Sequence, residues 1–186
     1  AKSHITSITG TDISLSATSG VYTISATSTV LTGAGKLAVG DLITVSGSAS
    51  NNSTFTVNTV VSTTELTVAE VITSENADGS STITLDHVGF VSDKAKGDGY
   101  YSQPDGVHTV AYQVANDFNA DATIKMQGTL ATTPTEDDWF DISGTTFTSD
   151  TSTLTSSFNF TGNYVWVRSK TQLLTAGTTN SILLNS

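Results

Sequence analysis

Cysteine is absent from the chain, and cations and long apolar runs are scarce. Without cysteine the chain has neither disulfides nor thiolate ligands for a metal. Seven residues are Lys or Arg and seventeen are Asp or Glu, which gives a formal net charge of −10. Phosphate backbones are bound by clustered Lys and Arg, so this balance argues against a nucleic-acid partner. No apolar run approaches the roughly 20 residues that span a bilayer, so we expect no membrane partner.

Small hydroxyl-bearing and β-branched residues dominate what is present. About a third of the residues are Ser or Thr, and Thr, Val and Ile suit a pleated, half-buried surface. Short alternating runs are common, and no sustained 3.6-residue period occurs. A length of 186 residues is enough for one ordinary domain or two small ones. We therefore predict an all-β fold built from two small antiparallel modules.

The first predicted module covers residues 21–89 and is expected to be a compact, barrel-like module, that is, a small antiparallel barrel or a curled sheet. Alternating runs such as "LITV" and "TFTV" are separated by polar loops, and Asp78-Gly79 is a hairpin turn signal. Residues 1–20 are polar and sparsely apolar. They are either an arm that becomes ordered on a partner or an edge strand of the module. Four residues would anchor such an arm on its partner, namely Ile5, Ile8, Ile13 and Leu15.

The second predicted module covers residues 107–186, where about six further alternating runs suit a β-sandwich or jelly roll. Between the modules, residues 90–106 read "FVSDKAKGDGYYSQPDG" and break the strand rhythm with three glycines and a proline. This stretch is interpreted as a linker or loop. Tyr100 and Tyr101 within it are expected to pack on a module or on a partner.

The most aromatic stretch of the chain is "FNFTGNYVWVRSK", residues 158–170. It is predicted to form a hairpin or a tight corner around Gly162-Asn163. A core or strand-pair role is favoured, because buried aromatic rings dominate the energetics of small β cores. The alternative is a partner interface in which Trp166 and Arg168 carry the binding energy. Trp139 is a further candidate for contact with a partner.

Residues that would signal catalysis or metal binding are not grouped in the sequence. The three histidines are far apart, and no phosphate-binding loop or nucleophile motif occurs. Glu136–Asp138 and the aspartates 93, 98 and 105 could offer oxygens to Ca²⁺, but solvated acidic loops are the favoured interpretation. We therefore expect no enzyme activity, no catalytic residue, no cofactor and no metal site.

Two stretches resemble structural proteins of tailed-phage particles, in particular those of marine and cyanobacterial phages. The first is "LAVGDLITVSGSASNNSTFTVNTVVSTTELTVAE", residues 37–70, followed by "STITL". The second comprises "TIKMQGTLATTPTEDDWFDI" and "FNFTGNYVWVRSKTQLLTAGTTNSILLN" in the second module. These motifs are turn and strand patterns that contain no catalytic residues.

The resemblance implies a non-enzymatic virion protein on the capsid surface, a decoration or cement protein that stabilises the particle. Its partners would be the major capsid protein or other virion proteins, and the resemblance implies a homo-oligomer, in the form of a trimer. The alternatives are a tail, neck or fibre component, or a carbohydrate-binding adhesin. An adhesin would use Tyr100, Tyr101 or Trp139 as a stacking platform for sugars.

Overall fold

The computed structural model describes residues 1–102, 106–149 and 152–185. The all-β prediction is confirmed, with 51% of residues in strands and 4% in helices. No helix in the described residues is long and apolar enough to cross a membrane. The strands and two 3-10 helices, in chain order, are β1 (Lys2–Ser3), β2 (Ile8–Gly10), β3 (Ile13–Thr18), β4 (Val21–Ala26), β5 (Asp41–Ser46), β6 (Thr54–Ser62), β7 (Glu65–Val68), β8 (Ile83–Val91), β9 (Ala95–Lys96), η1 (Asp98–Tyr101), β10 (Val107–Val114), β11 (Thr123–Thr129), η2 (Glu136–Asp138), β12 (Phe140–Asp141), β13 (Phe147–Thr148), β14 (Thr155–Thr161), β15 (Trp166–Gln172) and β16 (Thr178–Asn185).

Two compact units make up the chain. The first unit is Ile5–Phe90, and the second combines Ala1–His4 with Val91–Ser186. In the first unit the antiparallel strand order is β3-β4-β7-β6-β5-β8-β2. Its long strand β6 pairs with β5 through residues 54–56 and with β7 through residues 57–62. Alternate residues of these strands point inward and form one apolar core.

Of the two forms expected for the first unit, a barrel and a curled sheet, the structure shows the curled sheet, because the sheet does not close. The end strands β2 and β3 are consecutive in the chain, and each pairs on one side only, with β8 and β4 respectively. An isolated bridge joins Leu15 of β3 to Glu75. The unit is therefore a curled open sheet whose two ends remain separate strands.

The amino-terminal segment is part of this folded unit. Residues 8–10 and 13–18 form β2 and β3, and Ile8, Ile13 and Leu15 are each 4% exposed or less. Ile5 is partly buried against the same core, and its N–H donates to Nδ1 of His87 at 3.2 Å. Of the two interpretations of residues 1–20, the arm is wrong for residues 5–20. The apolar side chains of Ile5, Ile8, Ile13 and Leu15 pack in or against the core of their own unit, so none of them is available to anchor an arm on a partner.

The second unit contains two antiparallel sheets. One has the order β1-β16-β10-β14, and in the other β15 lies between β11 and β9, with β12 and β13 pairing along the free edge of β11. The two sheets share a core: Tyr112 of β10 lies 6.0 Å from Phe147 of β13, ring to ring, and its hydroxyl donates to the carbonyl of Thr145 at 2.9 Å. This layered arrangement is compatible with the predicted sandwich.

Residues 91–102 are structured as part of the second unit rather than forming an open linker. β9 pairs with the start of β15, and the N–H groups of Gly97 and Gly99 donate to the carbonyls of Val165 and Tyr164 at 3.0 and 2.9 Å. A Cβ at Gly99 would lie 2.4 Å from the carbonyl oxygen of Asn163. This close approach explains why the glycine-rich sequence, interpreted as flexible, is needed for packing. Residues 103–105, including Asp105, lie outside the described part.

The core position of β3 gives a test of the amino-terminal segment. Leu15→Ala should lower the free energy of unfolding by about 2–5 kcal/mol, because it opens a cavity beneath a 1% exposed side chain. The matched control is Val21→Ala on the neighbouring strand, where the side chain is 53% exposed and little change is expected. Denaturant unfolding measures both. Unchanged stability of a variant that lacks residues 1–15 would restore the arm interpretation.

Candidate binding surface

The outer face of β15 is where the second unit displays its distinctive side chains. Residues alternate along a strand, so Trp166, Arg168 and Lys170 point to one side and Val167 and Ser169 to the other. Val167 is fully buried and belongs to the core, whereas Trp166 is only partly buried. Phe160 and Val167 therefore belong to the core, whereas Trp166 is a partly buried member of a strand pair on the outer face, opposite Thr129. β14 pairs with β10 and β15 with β11, so the chain turns a corner between the two sheets at residues 162–165 and does not form a hairpin.

Arg168 is held from three directions. Its two terminal nitrogens donate to the two carboxylate oxygens of Glu136 at 2.8 and 2.7 Å, and its Nε donates to Oε1 of Gln127 at 2.9 Å. The guanidinium also lies 4.2 Å from the centroid of the Trp139 ring. With 6% of the residue exposed, Arg168 anchors other groups and is not available to a partner as a free charge.

The acidic stretch around Glu136 is thereby explained as structural. Glu136 is occupied by Arg168, and Asp138 closes a capping box at η2 by accepting from the N–H and hydroxyl of Thr135 at 2.7 and 2.9 Å. These hydrogen bonds hold the pKa of Asp138 below its ordinary value. Among the described residues, no group of three or more His, Cys, Asp or Glu is arranged to hold a metal ion.

Beside Arg168, three aromatic rings and two lysines form what we call the aromatic–lysine cluster: Lys94, Lys96, Tyr100, Tyr101 and Trp166. The rings of Tyr100 and Trp166 are 4.9 Å apart, and those of Tyr100 and Tyr101 are 5.2 Å apart. Nζ of Lys94 lies 4.5 Å from the Trp166 ring, and Nζ of Lys96 lies 4.2 Å from the Tyr100 ring. Tyr100 and Tyr101 are 43% and 58% exposed.

The backbone holds this cluster in place through three contacts. Lys96 is the cross-strand partner of Trp166, and its ammonium lies over the Tyr100 ring, whereas the ammonium of Lys94 lies over the indole. The η1 helix is tied to the residue 164 carbonyl through Gly99, and this turns Tyr100 back over Trp166. Nε1 of Trp166 donates to the carbonyl of Thr132 at 3.0 Å, which fixes the indole plane. The rings are therefore preorganised before any partner arrives.

Positive charge is concentrated on this face. Lys125 lies opposite Lys170 and Gln127 lies opposite Arg168 across β11 and β15, so these side chains share one side of the sheet. Five of the seven Lys and Arg residues of the chain are found there, namely Lys94, Lys96, Lys125, Arg168 and Lys170. Lys125 is paired with Asp141 and Arg168 with Glu136. Lys94 and Lys96 are exposed, and within the described residues they contact rings and form no salt bridge.

The structure brings five of the sequence candidates together on the second unit and leaves four in the core of the first. Tyr100, Tyr101 and Trp166 form the cluster, and Trp139 and Arg168 stack next to it; Ile5, Ile8, Ile13 and Leu15 do not belong to it. The sequence interpretation missed Lys94 and Lys96, because their segment was assigned to a linker. The available signal was their spacing of two, directly before two tyrosines, which suits a short strand that turns both ammonium groups to one side.

A second candidate lies in the first unit, in a cavity of about 270 Å³ beside Glu75. The Glu75 carboxylate accepts from the hydroxyl of Ser48 at 2.6 Å and from the N–H of Ala49 at 2.8 Å. Asn51, which is 4% exposed, exchanges two hydrogen bonds with the backbone of Thr73. These contacts clip the polar loop 47–53 in place. The carboxylate therefore serves the loop and is not directed at a ligand.

The comparisons with known proteins identify no relative of this chain: no family model, curated protein or solved structure matches it.

The Arg168 anchor predicts a stability loss for a conservative change. Arg168→Lys removes the forked contact with Glu136 and the bond to Gln127, so the free energy of unfolding should fall by about 1.5–3 kcal/mol. Denaturant unfolding followed by tryptophan fluorescence measures this, because Trp139 stacks on the guanidinium. The control is Lys170→Arg on the same face of β15. If Arg168→Lys unfolds like the natural chain, the anchor is not structural.

The loop clip in the first unit predicts a pH dependence. The hydrogen bond from the Ala49 N–H, with that from Ser48, lowers the pKa of Glu75 below its ordinary value of 4.5. A carboxyl whose pKa is lower in the folded state stabilises the fold above its unfolded-state pKa, and this contribution is lost as the pH falls through the folded-state pKa. The stability difference between the natural chain and Glu75→Gln should therefore shrink from pH 6 to pH 3. A constant difference over that range would contradict the clip.

Proposed function

We propose that this chain is a non-enzymatic structural protein of a tailed-phage particle, a decoration protein that attaches to the capsid surface and stabilises it. The motifs in residues 37–70 support this assignment to a virion, and the aromatic–lysine cluster supplies the attachment surface. The observation that carries the proposal is the concentration, on one face of an acidic chain, of preorganised aromatic rings and of two lysines that form no salt bridge with any described residue.

Attachment through this cluster combines two physical contributions. Tyrosine and tryptophan are over-represented among the residues that dominate protein interfaces, because they bury a large area and lose little conformational entropy. Lys94 and Lys96 add attraction to an acidic surface and orient the approach. The rest of the chain is acidic, so it is repelled by the same acidic surface. This arrangement favours one face of the protein over all others.

Stabilisation of a particle follows from area buried across subunit junctions. A protein that binds two neighbouring capsid subunits adds the contact energy of both faces to the cost of separating them. This stabilisation needs no catalytic step. The carboxylates of Asp12, Glu75 and Asp78 in the first unit accept hydrogen bonds that hold its own loops. A position in the tail, neck or fibre would use the same surface at a lower number of copies.

A carbohydrate-binding adhesin is the second candidate, because Tyr100 and Tyr101 are exposed rings of the kind that stack on sugars. A glycan array separates the two functions. Reproducible binding to a glycan that Tyr100→Ala abolishes would favour the adhesin. Attachment to particles without glycan binding supports the decoration protein.

Charge reversal in the cluster gives the direct test of attachment. Lys96→Glu should weaken binding of the purified protein to particles stripped of it by at least tenfold, because it removes an attraction and adds a repulsion. Lys36→Glu is the matched control, since Lys36 is an exposed lysine of the first unit. Co-sedimentation over a concentration series measures both. Equal loss in the two variants would show a non-specific charge effect and would remove the cluster from the proposal.

Copy number tests the position in the particle. Quantitative mass spectrometry of purified virions should give hundreds of copies, on the scale of the major capsid protein. A small multiple of three or six would move the protein to the tail, neck or fibre.

A further inference from the structure

The last strand of the chain has an open edge. β16 pairs with β10 on one side, and on its other side β1 reaches only Thr178 and Thr179. In the described part of the chain, residues 180–185 therefore have no strand along this side. Alternate backbone N–H and C=O groups there are available for pairing. Proteins normally protect such edges with charged residues, proline or bulges, because an open edge is a template for another strand.

The open stretch "NSILLN" contains no charge and no proline, and its one irregularity is a register shift against β10 at Asn180, before the apolar residues 182–184. Leu183 lies opposite Ala111 on the outer face of the sheet and is 66% exposed. Ile182 and Leu184 lie opposite Tyr112 and Val110 on the inner face. They are only half-buried, whereas Tyr112 and Val110 are fully buried. Both faces of the edge thus expose apolar surface that a further strand would cover.

The inner face of this edge borders a groove that the chain leaves unfilled. A cavity of about 280 Å³ lies between β16 and the other sheet of the second unit, lined by Met126, Val167, Ile182 and Leu184, with Ser92, Asp93 and Ala95 also contributing. Ser169 also lines it, and its hydroxyl is buried without a hydrogen-bond partner in the described residues. A well-packed sandwich would close this seam, so the groove has room for side chains of a further strand.

We infer that the missing strand is β16 of a second copy of this chain, paired antiparallel across a two-fold axis. Residues that face each other in an antiparallel pair point to the same side of the sheet. With the axis centred on Leu183, this residue lies opposite Leu183 of the second copy on the outer face, and Ile182 lies opposite Leu184 of the second copy on the inner face. Centring it on Ile182 would instead oppose Leu183 to Ser181 and Leu184 to Asn180. The sequence is thus self-complementary in the first register.

This pairing accounts for the open backbone edge, for the exposed Leu183 and for the groove on the inner face. The backbone groups of residues 181–185 gain partners, the exposed Leu183 is covered, and the inner side chains of the second strand lie beside the groove. An isologous contact of this kind uses one patch twice, so a single apolar edge is sufficient. The inference goes beyond the proposed function and does not depend on it, because the aromatic–lysine cluster is built on other strands.

Sedimentation equilibrium and a cysteine cross-link test the inference together. The natural chain should show a concentration-dependent dimer, and Leu183→Lys should be monomeric at concentrations where the natural chain is dimeric, with unchanged circular dichroism. Val107→Lys is the control, because Val107 is 57% exposed on the outer face of the same sheet but lies on β10, away from this edge. It should dimerise like the natural chain.

The cross-link reads the register directly. The chain has no cysteine, so Leu183→Cys is the only thiol, and mild oxidation should give a covalent dimer. Cα atoms opposed in an antiparallel pair are about 4.5–5.5 Å apart, within the range of about 4.4–6.8 Å that a disulfide spans. Val107→Cys should stay largely monomeric. A natural chain that is monomeric at every concentration, a trimer that Leu183→Lys leaves intact, or equal cross-linking of the two variants would overturn the inference.

Discussion

The contact of Arg168 with Glu136, Gln127 and Trp139 is the interaction on which the candidate surface depends. It fixes the outward direction of one residue in the middle of β15, and strand alternation then places Trp166 and Lys170 on the same side and Val167 in the core. A cation that is 6% exposed needs such partners, because an unpaired buried charge would cost several kcal/mol. The same contact explains why an acidic stretch precedes Trp139.

Several carboxylates of this acidic chain accept hydrogen bonds from its own loops. Asp12 accepts from Ser28 and Thr29, Asp41 from the N–H of Ala38, and Glu75 from the loop at Ser48. Such bonds replace the backbone pairing that irregular loops lack. The turn around Gly40-Asp41 and the loop 47–53 are held by such bonds. These carboxylates therefore maintain the fold, whereas Lys94 and Lys96 lie over aromatic rings and form no salt bridge within the described residues.

Sequence patterns predicted the all-β class and most strands, because alternation and turn signals are local. The burial of the four apolar residues among the first twenty is harder to predict, because they are thinly spaced in the sequence. Ile8 is buried through the pairing of β2 with β8, which is far along the chain, and Leu15 through the pairing of β3 with β4. The segment 94–101 was misassigned because glycine signals flexibility locally, whereas Gly97 and Gly99 are needed for close approach to residues 163–164. Trp166 and Arg168 could be named from the sequence, but their different roles are set by Glu136 and Tyr100, which only the folded chain brings near.

The most direct test of the central claim is hydroxyl-radical footprinting of the protein free and attached to particles, read residue by residue by mass spectrometry. Tyr100, Tyr101 and Trp166 are reactive side chains on the proposed attachment face, and Tyr22 is a partly exposed reference in the first unit. The account predicts that attachment lowers the oxidation of the first three severalfold and leaves Tyr22 unchanged. Unchanged oxidation of Tyr100 and Tyr101 with protection of Tyr22 would contradict it.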